Sequence, residues 1–319
     1  MGTLTAAWVA KVASQPFPDN LTNPPPQTVN GFQSQLASVA ETREIELPFT
    51  LNDQGNIVVS AVLNRTDRLR LMLHTAATDV VLTEDAVRKA SSLKFTGTDK
   101  VKSWGGESDS RVSTGNEVQI GDLLRRQVSI WEDKNSGQET DGKFGLDYFE
   151  NGIVEVDFDH GRLVIHQKLP RKARTGGCVN IEGEKGLLLI QGICLIEEQR
   201  CTNSFLIHSG YSGGILWDDA FAAKVGIEGK ITITEESSLK DSFGNTIKVK
   251  KGILPGFVLG GTKITNVPAG FFAGAIGAQK MSIIGTGVLT RFNLIFDLAN
   301  KDLYFFPRST GASPAVKSR

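Results

Sequence analysis

Two stretches of this chain match each other without a gap, and this internal repeat constrains the fold more than any other feature. Leu73-His74-Thr75-Ala76-Ala77-Thr78-Asp79-Val80-Val81-Leu82 aligns with Ile207-His208-Ser209-Gly210-Tyr211-Ser212-Gly213-Gly214-Ile215-Leu216. In each copy an apolar strand runs into His, then a small hydroxyl residue, then a small residue. The dipeptides Asp85-Ala86 and Asp219-Ala220 follow at the same offset. A second matched block lies downstream. Gly145 leads to Ile153-Val154-Glu155-Val156-Asp157 and on to Leu163, while Gly285 leads to Asn293-Leu294-Ile295-Phe296-Asp297 and on to Leu303. The aspartate follows the glycine by 12 residues and the leucine by 18 in both copies. One pair of similar hairpins arises easily by chance. Two blocks in the same order point to two copies of a unit of roughly 130 residues, packed about an approximate two-fold axis where equivalent residues meet.

The texture within each copy is that of short strands. Glu44 to Leu51 alternates polar and apolar, Ile57 to Leu63 and Leu69 to Leu73 are apolar-rich, and Asn52-Asp53-Gln54-Gly55-Asn56 supplies a turn between the first two. Short helical pieces are expected at Thr83 to Lys89 and Trp217 to Lys224. Residues 1–43, with Pro16-Phe17-Pro18 and Pro24-Pro25-Pro26, read as an extended arm or linker, since proline fixes φ and removes a donor. The division expected is therefore an arm over 1–43, lobes over 44–170 and 171–308, and a frayed polar tail over 309–319.

Bulk composition narrows the function classes. Lys plus Arg equals Asp plus Glu at 35 each, so no global field draws in nucleic acid or an anionic membrane. No stretch reaches the about 18 to 20 apolar residues of a spanning helix. The opening Met1 to Lys11 lacks a basic n-region and a convincing apolar core, so it is not read as a signal peptide; a secreted or periplasmic setting stays open. Cys178, Cys194 and Cys201 are too few for a disulfide scaffold and match no zinc pattern. One bridge with a spare thiol and three free thiols are both compatible with that count.

These motifs resemble the aspartic peptidases of the pepsin and retroviral-protease type. There, an apolar strand enters Asp-Thr/Ser-Gly once per lobe, and a later apolar-apolar-Gly segment packs behind each loop. Leu71 to Thr78 and Phe205 to Ser212 stand at the two motifs. Ile283-Ile284-Gly285 fits the later segment well and Lys143-Phe144-Gly145 less well. The closing strands Arg291 to Asp297 and Lys301 to Tyr304 look like the end of a bacterial aspartyl-protease-like lobe. The resemblance spans roughly residues 44–307 and implies an all-β fold of two pepsin-like barrels related by a pseudo-two-fold axis. It also implies that the Thr75 and Ser209 hydroxyls bond across that axis.

Three departures matter. His74 and His208 stand where both catalytic aspartates belong, and Ala76 replaces the first motif's glycine. The family mechanism requires two carboxyls sharing one proton, their mutual repulsion making one an acid and the other a base. Imidazole is longer, and in its neutral form offers a single in-plane lone pair, on its unprotonated nitrogen, so ordinary aspartic peptidase activity is not expected. The leading expectation is an inactive homologue that binds a peptide or protein in the interlobe cleft, lined by Ala76, Thr78, Asp79, Trp104, Gly210, Tyr211, Ser212 and Phe243. Trp104 and Phe243 read as tips of hairpins closing over that cleft, or as ordinary Gly-containing turns. Two alternatives stand beside it. One is a Zn or Cu or small-ligand site on His74 and His208, with no other cofactor implied; the other is a hydrolase using His-dependent chemistry. Of the four histidines, His160 and His166 have no counterpart in the repeat and read as surface residues.

Overall fold

The computed structural model describes residues 44–103, 106–133, 139–150, 152–183, 186–240, 246–273 and 279–308. The expected arm at 1–43 and tail at 309–319 lie outside these residues. Among the described residues the chain forms three sheets. The first lobe's sheet runs in the order Thr50–Leu51, Ile57–Leu63, Asp67–Leu73, Gly142–Phe144, Val80–Thr83, Leu123–Asp133, Gly106–Ile120 and Gly97–Ser103. It closes on itself where Ile57–Leu63 also pairs with Gly106–Ile120. The second lobe repeats the plan: Leu189–Ile196, Gln199–Ile207, Ser282–Ile284, Ile215–Leu216, Thr262–Ala273, Thr246–Leu259 and Ile233–Lys240. Closure there comes from Leu189–Ile196 pairing with Thr246–Leu259. The two-lobed all-β architecture expected from the repeat is the one adopted.

A six-stranded sheet joins the lobes, in the order Ile45–Pro48, Arg162–His166, Ile153–Asp157, Phe292–Asp297, Asp302–Pro307 and Gly177–Asn180. Its central pair, Ile153–Asp157 against Phe292–Asp297, comes from the two copies of the second sequence block, so the repeat is built around this contact. Val154, Val156, Leu163, Leu294, Phe296 and Leu303 are all buried in one core that continues into both lobes. Strands buried on both sides lose strict alternation; Ile57–Leu63 buries Ile57, Val58, Val59, Ala61 and Leu63 and exposes only Ser60.

The single strand expected over Glu44 to Leu51 is two. Ile45–Pro48 pairs with Arg162–His166, whereas Thr50–Leu51 pairs with Ile57–Leu63 in another sheet. Pro48 has no N–H to continue a ladder, and Phe49 turns its ring into an edge contact with Phe158, 5.8 Å between centroids. The first expected helix forms as Glu84–Lys89, capped by Thr83, whose hydroxyl accepts from the Ala86 N–H at 3.1 Å. The second is Asp219–Val225, so Trp217 lies before it. Asp218 caps it by accepting from the Phe221 N–H at 2.8 Å, and Gly226 ends it in the left-handed region at φ 64°.

His166 corrects the sequence expectation outright. It is 7% exposed, its Nδ1 lying 2.8 Å from Glu44 and its Nε2 2.9 Å from Glu155, and Lys172 reaches the other Glu155 oxygen at 2.5 Å. His160 does lie at the surface, its side chain 69% exposed beside Asp157.

Candidate functional site

Each histidine sits where a core strand runs out onto the two-fold axis. The His74 N–H donates to the Phe144 carbonyl at 2.9 Å, and the His208 N–H donates to the Ile284 carbonyl at 2.9 Å. Three residues on, the Ala77 N–H returns to the His74 carbonyl at 2.9 Å and the Tyr211 N–H to the His208 carbonyl at 3.0 Å. The loops are therefore tied at the same points by the same kinds of bond. Parallel pairing of Asp67–Leu73 with Gly142–Phe144, and of Gln199–Ile207 with Ser282–Ile284, sets both against the segments ending in Gly145 and Gly285.

The hydroxyls that follow the histidines bond reciprocally. Thr75 Oγ1 donates to the Ile207 carbonyl at 2.7 Å and accepts from the Ser209 N–H at 3.0 Å. Ser209 Oγ donates to the Leu73 carbonyl at 2.6 Å and accepts from the Thr75 N–H at 3.0 Å. All of these groups are buried. A further tie was not visible in the sequence: Asn56, fully buried, donates through Nδ2 to the Ser209 carbonyl at 2.8 Å, while its Oδ1 finds no hydrogen-bond partner among the described residues.

The imidazoles meet edge to face, ring centroids 4.5 Å apart at an interplanar angle of 64°. His74 is 2% exposed and His208 7%. Burial pushes His74 well below the ordinary histidine value, and the positive charges of His208 and Lys143 push it the same way. The Nδ1 of His74 is buried with no hydrogen-bond partner among the described residues. Its ring lies over Gly210, where a Cβ would come within 2.5 Å of Nε2.

Lys143 is the residue that sequence reasoning passed over. It pairs with Met72 in the parallel ladder, so its side chain, that of Met72 and, by alternation, that of His74 share one face of the sheet. Lys143 is 2% exposed, and burial pulls its amine down to about 7, with Asp133 opposing the shift. The equivalent place in the other lobe holds Ile283, in an apolar layer with Leu206, Leu216, Val249 and Phe272.

The other expected cleft residues separate into three groups. Ala76 is no open lining position: it is 3% exposed, its methyl packed into that apolar layer of the opposite lobe. Gly210 is buried beneath His74, and Tyr211 packs at the edge of the same layer, while Ser212 is half-buried. Thr78 and Asp79 are exposed. Asp79, at φ 66°, donates its N–H to Asp147 at 3.0 Å. Trp104 and Phe243 lie outside the described residues, although Ser103 pairs with Gly106 and Lys240 with Thr246 on either side of them. Beside the first loop a pocket of about 420 Å³ spans both lobes. Thr75, Thr78, Leu146 and Asp147 line one wall, and Ile181 and Leu187 the other.

No family model matches the chain, and no curated protein matches its sequence. Likeness does appear among solved structures. An aspartic proteinase from Irpex lacteus, known from its crystal structure, matches at a TM-score of 0.58 with 15% sequence identity. The match covers 84% of this chain and 98% of that one. At this identity the likeness shows a shared pepsin-like fold of two barrels.

Proposed function

We propose that this chain is a catalytically silent relative of the aspartic peptidases that binds an extended peptide between its lobes. One observation carries the reading: the two dyad positions hold buried imidazoles in ring-to-ring contact, 4.5 Å between centroids. The groups whose charge acts on His74 are His208 and Lys143, both basic. A carboxyl dyad divides one proton between two like groups that repel as anions. Two imidazoles held at this distance, one of them kept neutral by burial, supply neither the paired carboxylate oxygens nor room for the water between them. A reacting atom displaced by about 1 Å costs on the order of a hundredfold in rate.

Binding survives that loss. A cleft that adds a peptide strand uses backbone hydrogen bonds and alternate side-chain pockets, and the two-lobed pocket beside Thr75 and Thr78 offers such a pocket next to the axis. The test has two arms. Purified protein is expected to leave unfolded protein intact at acid pH, and a transition-state mimic of peptide hydrolysis is expected not to bind. Hydrogen exchange with a peptide library should show protection of the segments at 75–79, 181–183 and 186–188. Cleavage abolished by His74→Ala would overturn the silent-enzyme half; absence of protection by every peptide would overturn the binding half.

A second reading, a Zn or Cu site on His74 and His208, is favoured by the partnerless Nδ1 of His74. Among the described residues no group of three or more His, Cys, Asp and Glu gathers to hold an ion, so two imidazoles would carry it, fewer donors than structural sites use. Metal binding to the folded state would raise the melting temperature, and His74→Ala and His208→Ala would each cancel the gain.

A further inference from the structure

We infer that Cys194 and Cys201 form a dithiol modification site, which a low-molecular-weight disulfide converts into an intrachain bridge across the hairpin that delivers His208. The two cysteines are direct partners in the antiparallel register of Leu189–Ile196 with Gln199–Ile207. Residues directly opposite in such a ladder point to the same face, with Cα atoms about 4.5 or 5.5 Å apart depending on the site. Both values fall inside the roughly 4.4 to 6.8 Å that a disulfide spans. The face is the core side, since Cys194 belongs to the core and Cys201 packs against it. All three cysteines are free thiols. The third, Cys178, is exposed and pairs with Tyr304 in the six-stranded sheet.

Exposure sets the order of events. Cys194 is fully buried and Cys201 half-buried, so a reagent meets Cys201 first. The Cys201 thiolate attacks a disulfide RSSR, forming a mixed disulfide and releasing RS⁻, which takes up a proton. Cys194 then gives its proton to solvent and attacks the Cys201 sulfur, expelling the second RS⁻. Overall, two protein thiols are oxidised to one disulfide and one RSSR is reduced to two RSH. Burial holds the Cys194 thiol up at about 12, which makes the closing step slow rather than forbidden. Trp217 reports on it: the indole Nε1–H donates to Cys194 Sγ at 3.4 Å, and Trp217 is itself completely buried.

Formation of the bridge does not depend on what the cleft binds. Gln199–Ile207 leads directly into His208, so a bridge at Cys201 fastens this strand to its neighbour within seven residues of the axis.

The experiment uses the full chain and oxidised glutathione as the probe. After incubation the protein is denatured and alkylated. Peptide mapping should show Cys194 and Cys201 both lost to alkylation, with a mass loss of two hydrogens across the joined pair and no retained glutathione on either residue, the exposed Cys178 being scored separately. Trypsin cuts after Arg200, so the peptides carrying Cys194 and Cys201 should stay joined until reduced. Trp217 emission should change on oxidation and recover with dithiothreitol. In Cys201→Ser, a near-isosteric change at a half-buried position, Cys194 should remain alkylatable and the emission constant. A glutathione adduct that persists on Cys201 while Cys194 stays alkylatable would overturn the proposal. So would equal protection of Cys194 in wild type and Cys201→Ser.

Discussion

The ring of His74 lies directly over Gly210, close enough that a Cβ there would stand 2.5 Å from Nε2. The equivalent residue in the other loop is Ala76, whose methyl is buried in the apolar layer that includes Leu206 and Ile283 of the opposite lobe. Gly210→Ala should force the His74 ring or the loop to move and lower stability by about 1–3 kcal/mol. Ala76→Gly should cost about 1–2 kcal/mol through lost packing and added backbone freedom, with the ring contact kept. Urea unfolding of both variants, with imidazole chemical shifts as a monitor of ring position, separates the two outcomes. Unchanged shifts in Gly210→Ala would mean that the ring does not depend on that glycine.

His74 makes folding sensitive to acid. Its proton affinity is lowered in the fold by burial and by the neighbouring His208 and Lys143 charges, whereas the unfolded chain binds a proton near its ordinary value of about 6.5. Below that value the unfolded state holds more protons, so stability should fall as pH falls, at about 1.4 kcal/mol per pH unit from this residue. His74→Gln should flatten that slope between pH 6.5 and 4.5. An identical slope in the variant would assign the acid sensitivity to other groups.

His166 works in the opposite sense. Burial lowers its proton affinity, but hydrogen bonds to Glu155 and Glu44 outweigh this and leave it raised. A raised folded value gives stabilisation that is complete below about 6.5 and is lost as pH climbs through the folded value. Glu155 is opposed by its own burial yet held low on balance by His166 and Lys172, so its contribution is lost as pH falls through its folded value. His166→Gln should cost about 1 kcal/mol at pH 6 after allowance for solvent screening, and less at pH 8.5. Melting curves at the two pH values should converge with wild type on the alkaline side; a constant gap would show that packing, not charge, is what His166 supplies.

Lys143 should be a net burden on the fold. Its amine, pulled down to about 7 by burial, binds its proton less tightly in the fold than in the unfolded chain, where the value is about 10.4. Lys143→Met should therefore raise stability at pH 7 by about 2–4 kcal/mol, giving the first lobe an apolar residue where the second lobe has Ile283. The gain should shrink toward pH 10. Destabilisation at pH 7 would show that the partners of the amine repay its burial.

The repeat made the histidine and hydroxyl pairs legible, because each residue type stood at the same offset in both copies. Lys143 left a fainter mark: it breaks the apolar-apolar-Gly pattern that Ile283-Ile284-Gly285 obeys. What the pattern could not convey was that the side chain stays inside. The burial of His166 depends on Glu44, 122 residues earlier in the chain, and a partner so distant leaves no local periodicity to detect. Asn56 reads as a turn residue because its neighbours are, yet it closes a bond to Ser209 at a separation of 153. The split at Pro48 was present as a proline, but which sheet each half joined is a tertiary choice.

The reciprocal bonds of Thr75 and Ser209 give the two lobes a shared pivot. Four buried hydrogen bonds converge there, and leaving their donors and acceptors unmet would cost on the order of 4 kcal/mol or more. Any breathing of the cleft should therefore be a rocking of its rims about this point, with no parting at the centre. The Thr75 and Ser209 amides should accordingly exchange with solvent only when the whole chain unfolds.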